Sequence, residues 1–249
     1  MKRKIIAANW KMHGSLTSIT TLLEKLSDGI GSVVNADCVI FPPAIYIPLV
    51  QQRLEKSLVH WGAQNVYPKE AGAYTGEISG PMLQDLGCRY VLVGHSERRS
   101  LFHEDEKFVA EKFHHVKDHG MIPILCVGET LEERDRGQTE AVLTRQLLAI
   151  KEKEGATFHD CLIAYEPVWA IGTGQTPSPD QIQATHRMLK EKVAQADANH
   201  AANLSVLYGG SVNEKNASAL FEMPDVDGAL VGGASLDAKQ FLEILICTN

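Results

Sequence analysis

Five stretches of the sequence carry groups that could do chemistry. Residues 164–174, AYEPVWAIGTG, set a carboxylate, Glu166, directly behind the apolar run CLIAY and ahead of a proline and a large aromatic. Residues 91–99, VLVGHSERR, put His95 behind a second apolar run, with Ser96, Glu97 and Arg98 after it. Lys11 follows the run KIIAANW (4–10), beside Asn9. Two glycine pairs, GGSV (209–212) and GGAS (232–235), close two further runs. A carboxylate desolvated at a strand end becomes a stronger base. Ser96 reads as the cap of a helix SERRSLF, so His95 stands at a positive dipole end, which biases an imidazole toward its neutral, hydrogen-bond-donating form. A lysine just past a buried strand is a fixed cation facing an anion. Glycine lets backbone N–H groups approach a phosphate closely. Together these groups suit abstraction of a proton next to a carbonyl. Glu166 is the base, His95 and Lys11 face the developing oxyanion, and the glycines hold a phosphate. Taken singly, each has a plainer account: Glu166 in a salt bridge with an arginine, His95 as a satisfied structural histidine, Lys11 on the surface, Glu97 as its ion-pair partner or a solvated first-turn acid, and the glycine pairs as turns.

Positioning such groups takes a scaffold, and the chain spells one out. Apolar runs recur at 4–10, 37–41, 58–63, 89–94, 122–127, 161–165, 203–210 and 227–233. They are short and not strictly alternating, which suits strands covered on both faces of a parallel sheet. Helical periodicity fills the gaps: Leu16, Ile19, Leu23, Leu26 and Ile30; Val109, Phe113 and Val116; Leu143, Leu147 and Ile150; Ile182, Leu189 and Val193; Ala238, Phe241, Leu242 and Leu245. SPDQ (178–181) has the residues of a capping box with proline in the first turn. Strand then helix, repeated eight times in 249 residues, predicts an α/β fold of the (β/α)₈ barrel kind, a single domain over 1–249. A doubly wound open sheet is the competitor, and it would more often show a G-x-G-x-x-G turn after the first strand, which ANWKMHG is not. In a barrel the chemistry collects where strands end, and that is where the five stretches fall. Residues 64–79 have no helical period and read as a long loop, of a length usually kept for function or an interface. His114, His115 and His119 read as solvated helix positions.

Composition excludes several classes. Net charge is −7, from 24 basic and 31 acidic residues, with no basic arm or stripe, so nucleic acid is not an expected partner. No window approaches a membrane span, and the apolar part of the N-terminus is too short for a signal peptide core. Five cysteines, odd in number and scattered, form no C-x-x-C pair. That pattern suits a reduced, cytoplasmic chain without disulfides or a cysteine zinc site.

NWKM (9–12), VGHSERR (93–99), CVGE (126–129), YEPVWAIGTG (165–174), YGGSV (208–212) and GALVGGASL (228–236) stand in this order along the chain. In these motifs the sequence resembles the triosephosphate isomerase family, essentially end to end. The resemblance implies interconversion of dihydroxyacetone phosphate and D-glyceraldehyde 3-phosphate, in glycolysis and gluconeogenesis, without cofactor or metal. It implies that Glu166 moves the proton between carbons one and two through an enediolate, that His95 shuttles protons between the two oxygens, and that Lys11 stabilises negative charge. Asn9 would orient the substrate. Ser211, Gly232, Gly233 and Gly172 would hold its phosphate through backbone N–H groups, with Ser96 and Glu97 in support. Residues 167–177 would be an active-site lid, with Pro167, Val168 and Trp169 as a stiff hinge and Ala170 and Ile171 as an apolar tip. Residues 64–79 resemble the family's dimer loop, with Thr75 reaching toward Asn9 and Lys11 of a second subunit in a homodimer. Ala8, Gln175 and Pro177 depart from the common pattern. A non-catalytic phosphate-binding barrel, or another sugar-phosphate barrel enzyme, is the alternative. The first would keep the glycines and lose Glu166, His95 or Lys11, all of which are present; the second has no reason for PVWAIGTG.

Overall fold

The computed structural model describes residues 3–171 and 175–249. Eight parallel strands close into a barrel in sequence order. They are β1 (Lys4–Asn9), β2 (Ala36–Phe41), β3 (His60–Ala63), β4 (Tyr90–Val93), β5 (Ile122–Val127), β6 (Leu162–Tyr165), β7 (Ser205–Tyr208) and β8 (Gly228–Val231). Each falls within or against its apolar run and most are shorter, because the run's last residues have already left the ladder to form the rim. The first and last strands pair over Ile5–Ala8 and Gly228–Val231, which seals the cylinder. Gly228 is needed there, since its φ is +153° and a Cβ would stand 1.9 Å from the Ile5 carbonyl oxygen.

The strands are buried on both faces, as parallel strands are. One set of side chains, Ala7, Val39, Phe41, Tyr90, Leu92, Ile124, Leu162, Ala164, Leu207 and Leu230 among them, fills the barrel interior. The alternate set, such as Ile6, Ala8, Val91, Val93, Ile163 and Val206, meets the surrounding helices. The helices bury the faces their periodicity marks: Val109, Phe113 and Val116 in Glu106–Asp118, Leu143, Leu147 and Ile150 in Thr139–Lys151, Ile182, Leu189 and Val193 in Pro179–Ala196. The first helix, Leu16–Gly29, differs at its start, where Leu16 is exposed and Leu22 takes a buried position instead. The 178–181 capping box forms in full, with Ser178 Oγ accepting from the Gln181 amide and the Gln181 side chain accepting from the Ser178 amide.

Residues 64–79 contain no helix or strand. The histidines near the end of Glu106–Asp118 are not the solvated set their helix pattern suggested. His115 is only 9% exposed, the His114 ring lies 3.1 Å from the Ile150 carbonyl oxygen, and His119 is half-buried just past the helix. A helical-wheel reading sees the helix alone and not the loop and neighbouring helix that cover these rings.

Candidate active site

The C-terminal rim of the barrel holds a cavity of about 380 Å³, bordered by Asn9, Lys11, His95, Glu166 and Ile171 on one side and the glycine turns after β7 and β8 on the other. Glu166 follows the last residue of β6 and is 2% exposed. Its carboxylate is held at both oxygens. Oε1 lies 2.9 Å from His95 Nε2, and Oε2 accepts the Ser96 backbone N–H at 2.9 Å.

His95 is itself the cap of the helix Ser96–Leu101, its Nδ1 accepting the Glu97 backbone N–H at 3.2 Å. Ser96 is therefore the first helical residue and not the cap. Its contribution is the free amide of a first turn, which points at Glu166. Because Nδ1 accepts a hydrogen, the proton of a neutral His95 sits on Nε2 and is donated to Glu166.

Burial opposes charge on both partners. For Glu166, burial alone would raise the pKa, and His95, the Ser96 amide and Lys11 together outweigh it and hold the carboxyl below its ordinary value. For His95, burial lowers the pKa, and the Glu166 carboxylate outweighs it and raises the value. Desolvation thus does not make Glu166 a stronger base in this arrangement. That gain requires parting from Ser96 and His95.

Lys11 has φ +50°, a left-handed conformation uncommon outside glycine. Two side chains fix it there. Asn9 Oδ1 accepts the Lys11 N–H at 3.0 Å, and Gln64 donates to the Lys11 carbonyl at 2.9 Å. The ammonium is 2.6 Å from Glu97 Oε1, at the cavity wall. Local strain stabilised by surrounding bonds is a recurring mark of functional positions.

At the far end, Gly232 precedes a short 3₁₀ turn, Gly233–Leu236. The Gly232 carbonyl accepts from both the amide (2.9 Å) and the hydroxyl (2.6 Å) of the fully buried Ser235. With the carbonyl tied back, the start of the turn is set toward the cavity. Ser211 and Gly233 border the same space and are exposed.

Comparison with known proteins agrees along the whole chain. The profile of the triosephosphate isomerase family matches residues 4–247. The chain belongs to the triosephosphate isomerase family. It is 59% identical over 249 residues to the triosephosphate isomerase of Legionella pneumophila (strain Paris), covering all of both chains. It is 49% identical over 240 residues to that of Nitrosomonas eutropha, covering 96% of this chain and 95% of the other. It is 48% identical over 250 residues to that of Dechloromonas aromatica, covering both in full.

Within this family member, Asn9, Lys11, His95, Glu166, Ser211, Gly232 and Gly233 share one cavity, and Ser96 and Glu97 flank it. Thr75 does not border the cavity; it is exposed on the 64–79 loop. Gly172 lies outside the described residues. The hinge expected of Pro167–Trp169 is a 3₁₀ turn, Val168–Ala170, and its aromatic is not solvent-facing: Trp169 is 8% exposed and Ala170 1%. Trp169 Nε1 donates to Glu129 Oε1 at 2.9 Å, Tyr165 donates to the same oxygen at 3.1 Å, and the Arg134 guanidinium lies 3.8 Å above the indole ring.

Three residues matter more than their sequence signals suggested. Glu129, which stood only as the last residue of the quoted CVGE, anchors the turn behind Glu166. Gly209, read as one of a phosphate pair, stands against Glu166: a Cβ there would lie 2.9 Å from Glu166 Cγ and 3.0 Å from the Tyr165 carbonyl oxygen. Ser235 stood in the quoted GGAS without a role.

Proposed function

We propose that this chain is a working triosephosphate isomerase, interconverting dihydroxyacetone phosphate and D-glyceraldehyde 3-phosphate, with Glu166, His95 and Lys11 as its catalytic groups. The observation that carries the reading is the Glu166–His95 contact at 2.9 Å on a cavity whose other end is lined by glycine turns. A carbonyl compound with a phosphate tail fits that polarity end to end. With its phosphate at Ser211, Gly232 and Gly233, and at Gly172 from the lid, its carbonyl and hydroxyl carbons lie between Glu166 and His95.

The resting contact then has to open. Substrate enters between the carboxylate and the imidazole, so Glu166 loses His95 and the Ser96 amide, which are what depress its pKa. It keeps its burial, which raises the pKa. The exchange turns a weak resting base into a stronger one at the moment the C–H bond is in reach. Glu166 takes the proton from one carbon and the carbonyl oxygen gathers the electron pair as an enediolate; His95 Nε2–H gives its proton to that oxygen and takes up the proton of the neighbouring hydroxyl, and Glu166 returns the carbon-bound proton to the adjacent carbon as the new carbonyl forms. His95, released from Glu166, keeps the Glu97 amide on Nδ1, so it stays neutral and offers Nε2–H to the oxygens. Lys11 supplies fixed positive charge, and Asn9 holds the Lys11 backbone in place. The glutamate base, neutral histidine and closing loop are roles already known for this enzyme family.

A homodimer acting in the cytoplasm completes the proposal, with the chain as one domain, residues 167–177 as the lid and 64–79 as the dimer loop carrying Thr75 to the neighbouring site. Support comes from apolar side chains beside the site: Met12 is 93% exposed next to Lys11, and Ile45 is 78% exposed. Four of the five free cysteines are buried, and among the described residues no helix is long and apolar enough to cross a membrane. A coupled assay that supplies glyceraldehyde 3-phosphate and follows dihydroxyacetone phosphate tests the activity. Glu166→Gln should lower kcat by about 10³-fold or more with the fold intact. Undiminished turnover in that variant removes Glu166 from the mechanism. Light scattering on the purified chain tests the dimer.

A further inference from the structure

Outside the catalytic rim, three groups with metal-binding atoms converge where the 64–79 loop meets the end of the helix Glu106–Asp118. One ligating atom each from Glu70, His115 and His119 lies within 4.8 Å of the other two. The closest pair is His119 Nε2 and Glu70 Oε2, 3.1 Å apart.

The His119 ring is oriented by its other nitrogen. Nδ1 lies 2.8 Å from the His115 carbonyl oxygen, which can only accept, so Nδ1 carries a hydrogen. In the neutral ring Nε2 is then a bare lone pair, and it faces a carboxylate oxygen that also offers only lone pairs. Two acceptors at that distance repel unless a cation stands between them. The cation is either a proton on Nε2 or a metal ion.

Two observations favour the metal. His115 and His119 are four apart, the spacing that sets two imidazoles on one side of a helix and serves metal sites. A backbone carbonyl on the distal nitrogen is the usual outer partner of a metal-bound histidine, fixing the tautomer that leaves Nε2 free.

We propose that Glu70, His115 and His119 form a site for a divalent transition metal of the zinc class, which ties the 64–79 loop to the helix Glu106–Asp118. Two nitrogens and one carboxylate oxygen suit that class, with water completing the shell. The site has no part in proton transfer, since none of its residues borders the catalytic cavity. Metal–ligand bonds of about 2.0–2.1 Å set tetrahedral ligand atoms about 3.3 Å apart. Glu70 and His119 already stand at that spacing. His115 has to close by at most about 1.5 Å, and if it ligates through Nε2 it gives up the Gly80 amide that donates to that atom at 3.2 Å. The affinity is therefore moderate, with Kd of roughly 10 μM or below.

The test uses the full chain stripped with a chelator. Zn²⁺ is titrated by calorimetry and Co²⁺ by visible absorption, in wild type, Glu70→Gln and His119→Gln. The Glu70 side chain is 70% exposed, so its substitution leaves the core alone. Wild type should bind one equivalent of Zn²⁺ and gain about 5 °C in Tm at a hundredfold excess over Kd. Each variant should bind at least about tenfold more weakly and lose that gain. Absence of saturable binding in wild type overturns the proposal. So does equal binding in Glu70→Gln, which would assign the metal elsewhere, the partly exposed Cys247 included. If Glu70→Gln shifts only the proton titration of His119, followed by NMR, and Zn²⁺ binding is nil throughout, the bridge is a proton and the site is not a metal site.

Discussion

Gly209→Ala tests whether the carboxylate proposed as the base, Glu166, is positioned by what surrounds it as much as by its own backbone. The added methyl would stand 2.9 Å from Glu166 Cγ and 3.0 Å from the Tyr165 carbonyl oxygen. Ordinary carbon contacts begin at about 3.5 Å, so Glu166 Cγ has to retreat by about 0.6 Å, because the Tyr165 carbonyl is fixed in the barrel ladder. A base tethered at both oxygens, 2.9 Å from His95 and 2.9 Å from Ser96, cannot absorb that shift without moving its carboxylate. A displacement of about 1 Å at a reacting group costs about 100-fold in rate, so roughly half that displacement costs about 10-fold, or about 1.4 kcal/mol of barrier. The added methyl presses on Glu166 and the Tyr165 carbonyl and not on Ser211, Gly232 or Gly233, so KM should stay within about twofold while kcat falls about 10-fold or more. Overpacking also destabilises by about 1–3 kcal/mol, a loss of several degrees in Tm. Gly31→Ala is the control, since a Cβ there meets nothing within 4 Å. Steady-state kinetics in the coupled assay, with Tm from circular dichroism, give both readouts. A Gly209→Ala enzyme with wild-type kcat and lowered Tm would show that Glu166 reaches its working position independently of the β7 rim, and the steric argument would fail.

Two further predictions come from other buried groups. His186 sits against the Tyr165 and Tyr208 rings, with burial lowering its pKa to about 4. The unfolded chain takes up that proton near pH 6.5 and the folded chain only near 4, so the folded state loses stability as pH falls through that window, by about 3 kcal/mol in all. His186→Gln should remove this part of the acid sensitivity, and urea denaturation at pH 7 and pH 4.5 checks it; an identical wild-type-to-variant difference at both pH values contradicts the assignment. Ser235→Ala frees the Gly232 carbonyl from a 2.6 Å hydrogen bond worth about 1 kcal/mol. It should raise KM and the inhibition constant of inorganic phosphate together, severalfold, with kcat nearly unchanged; a fall in kcat alone would detach Ser235 from the phosphate end.

What the sequence disclosed, and what it withheld, follows from range. The barrel was legible because strand runs and helix faces are local patterns, and the polar residues after each run fall on the rim in any parallel barrel. The candidate site was legible for the same reason: Asn9, Lys11, His95 and Glu166 stand at strand ends. Apart from the Ser96 cap, where the His95 ring takes an amide only two positions on, the misreadings depend on partners distant in the chain. Ser96 looks like a cap because serine caps well, and only the fold reveals that the His95 ring takes the Glu97 amide. Burial argued for a stronger Glu166 base, but His95 and Ser96 lie about 70 positions away, and the His95 ring first, with the Ser96 amide and Lys11, reverses the balance. Gly209 carries no hint that its missing side chain makes room for a carboxylate on the neighbouring strand. His115 reads as solvated until the 64–79 loop and Gly80 cover it.

The pairing of β1 with β8 has a consequence for how the molecule comes into being. The proposed catalytic cation, Lys11, is delivered by the first strand, and the Gly232 turn by the last, more than 200 positions later. Lys4 Nζ reaches across the same seam to the Val226 carbonyl. A nascent chain still missing its final strand has therefore made Asn9 and Lys11 but has nothing to set opposite them. The open edges of β1 and β7 remain unpaired until that strand arrives, which is the interval of greatest exposure to aggregation. Activity and barrel closure thus begin at the same moment of biosynthesis. Removal of residues 228–249 should abolish both, although every acid, base and cation proposed for the site is already present.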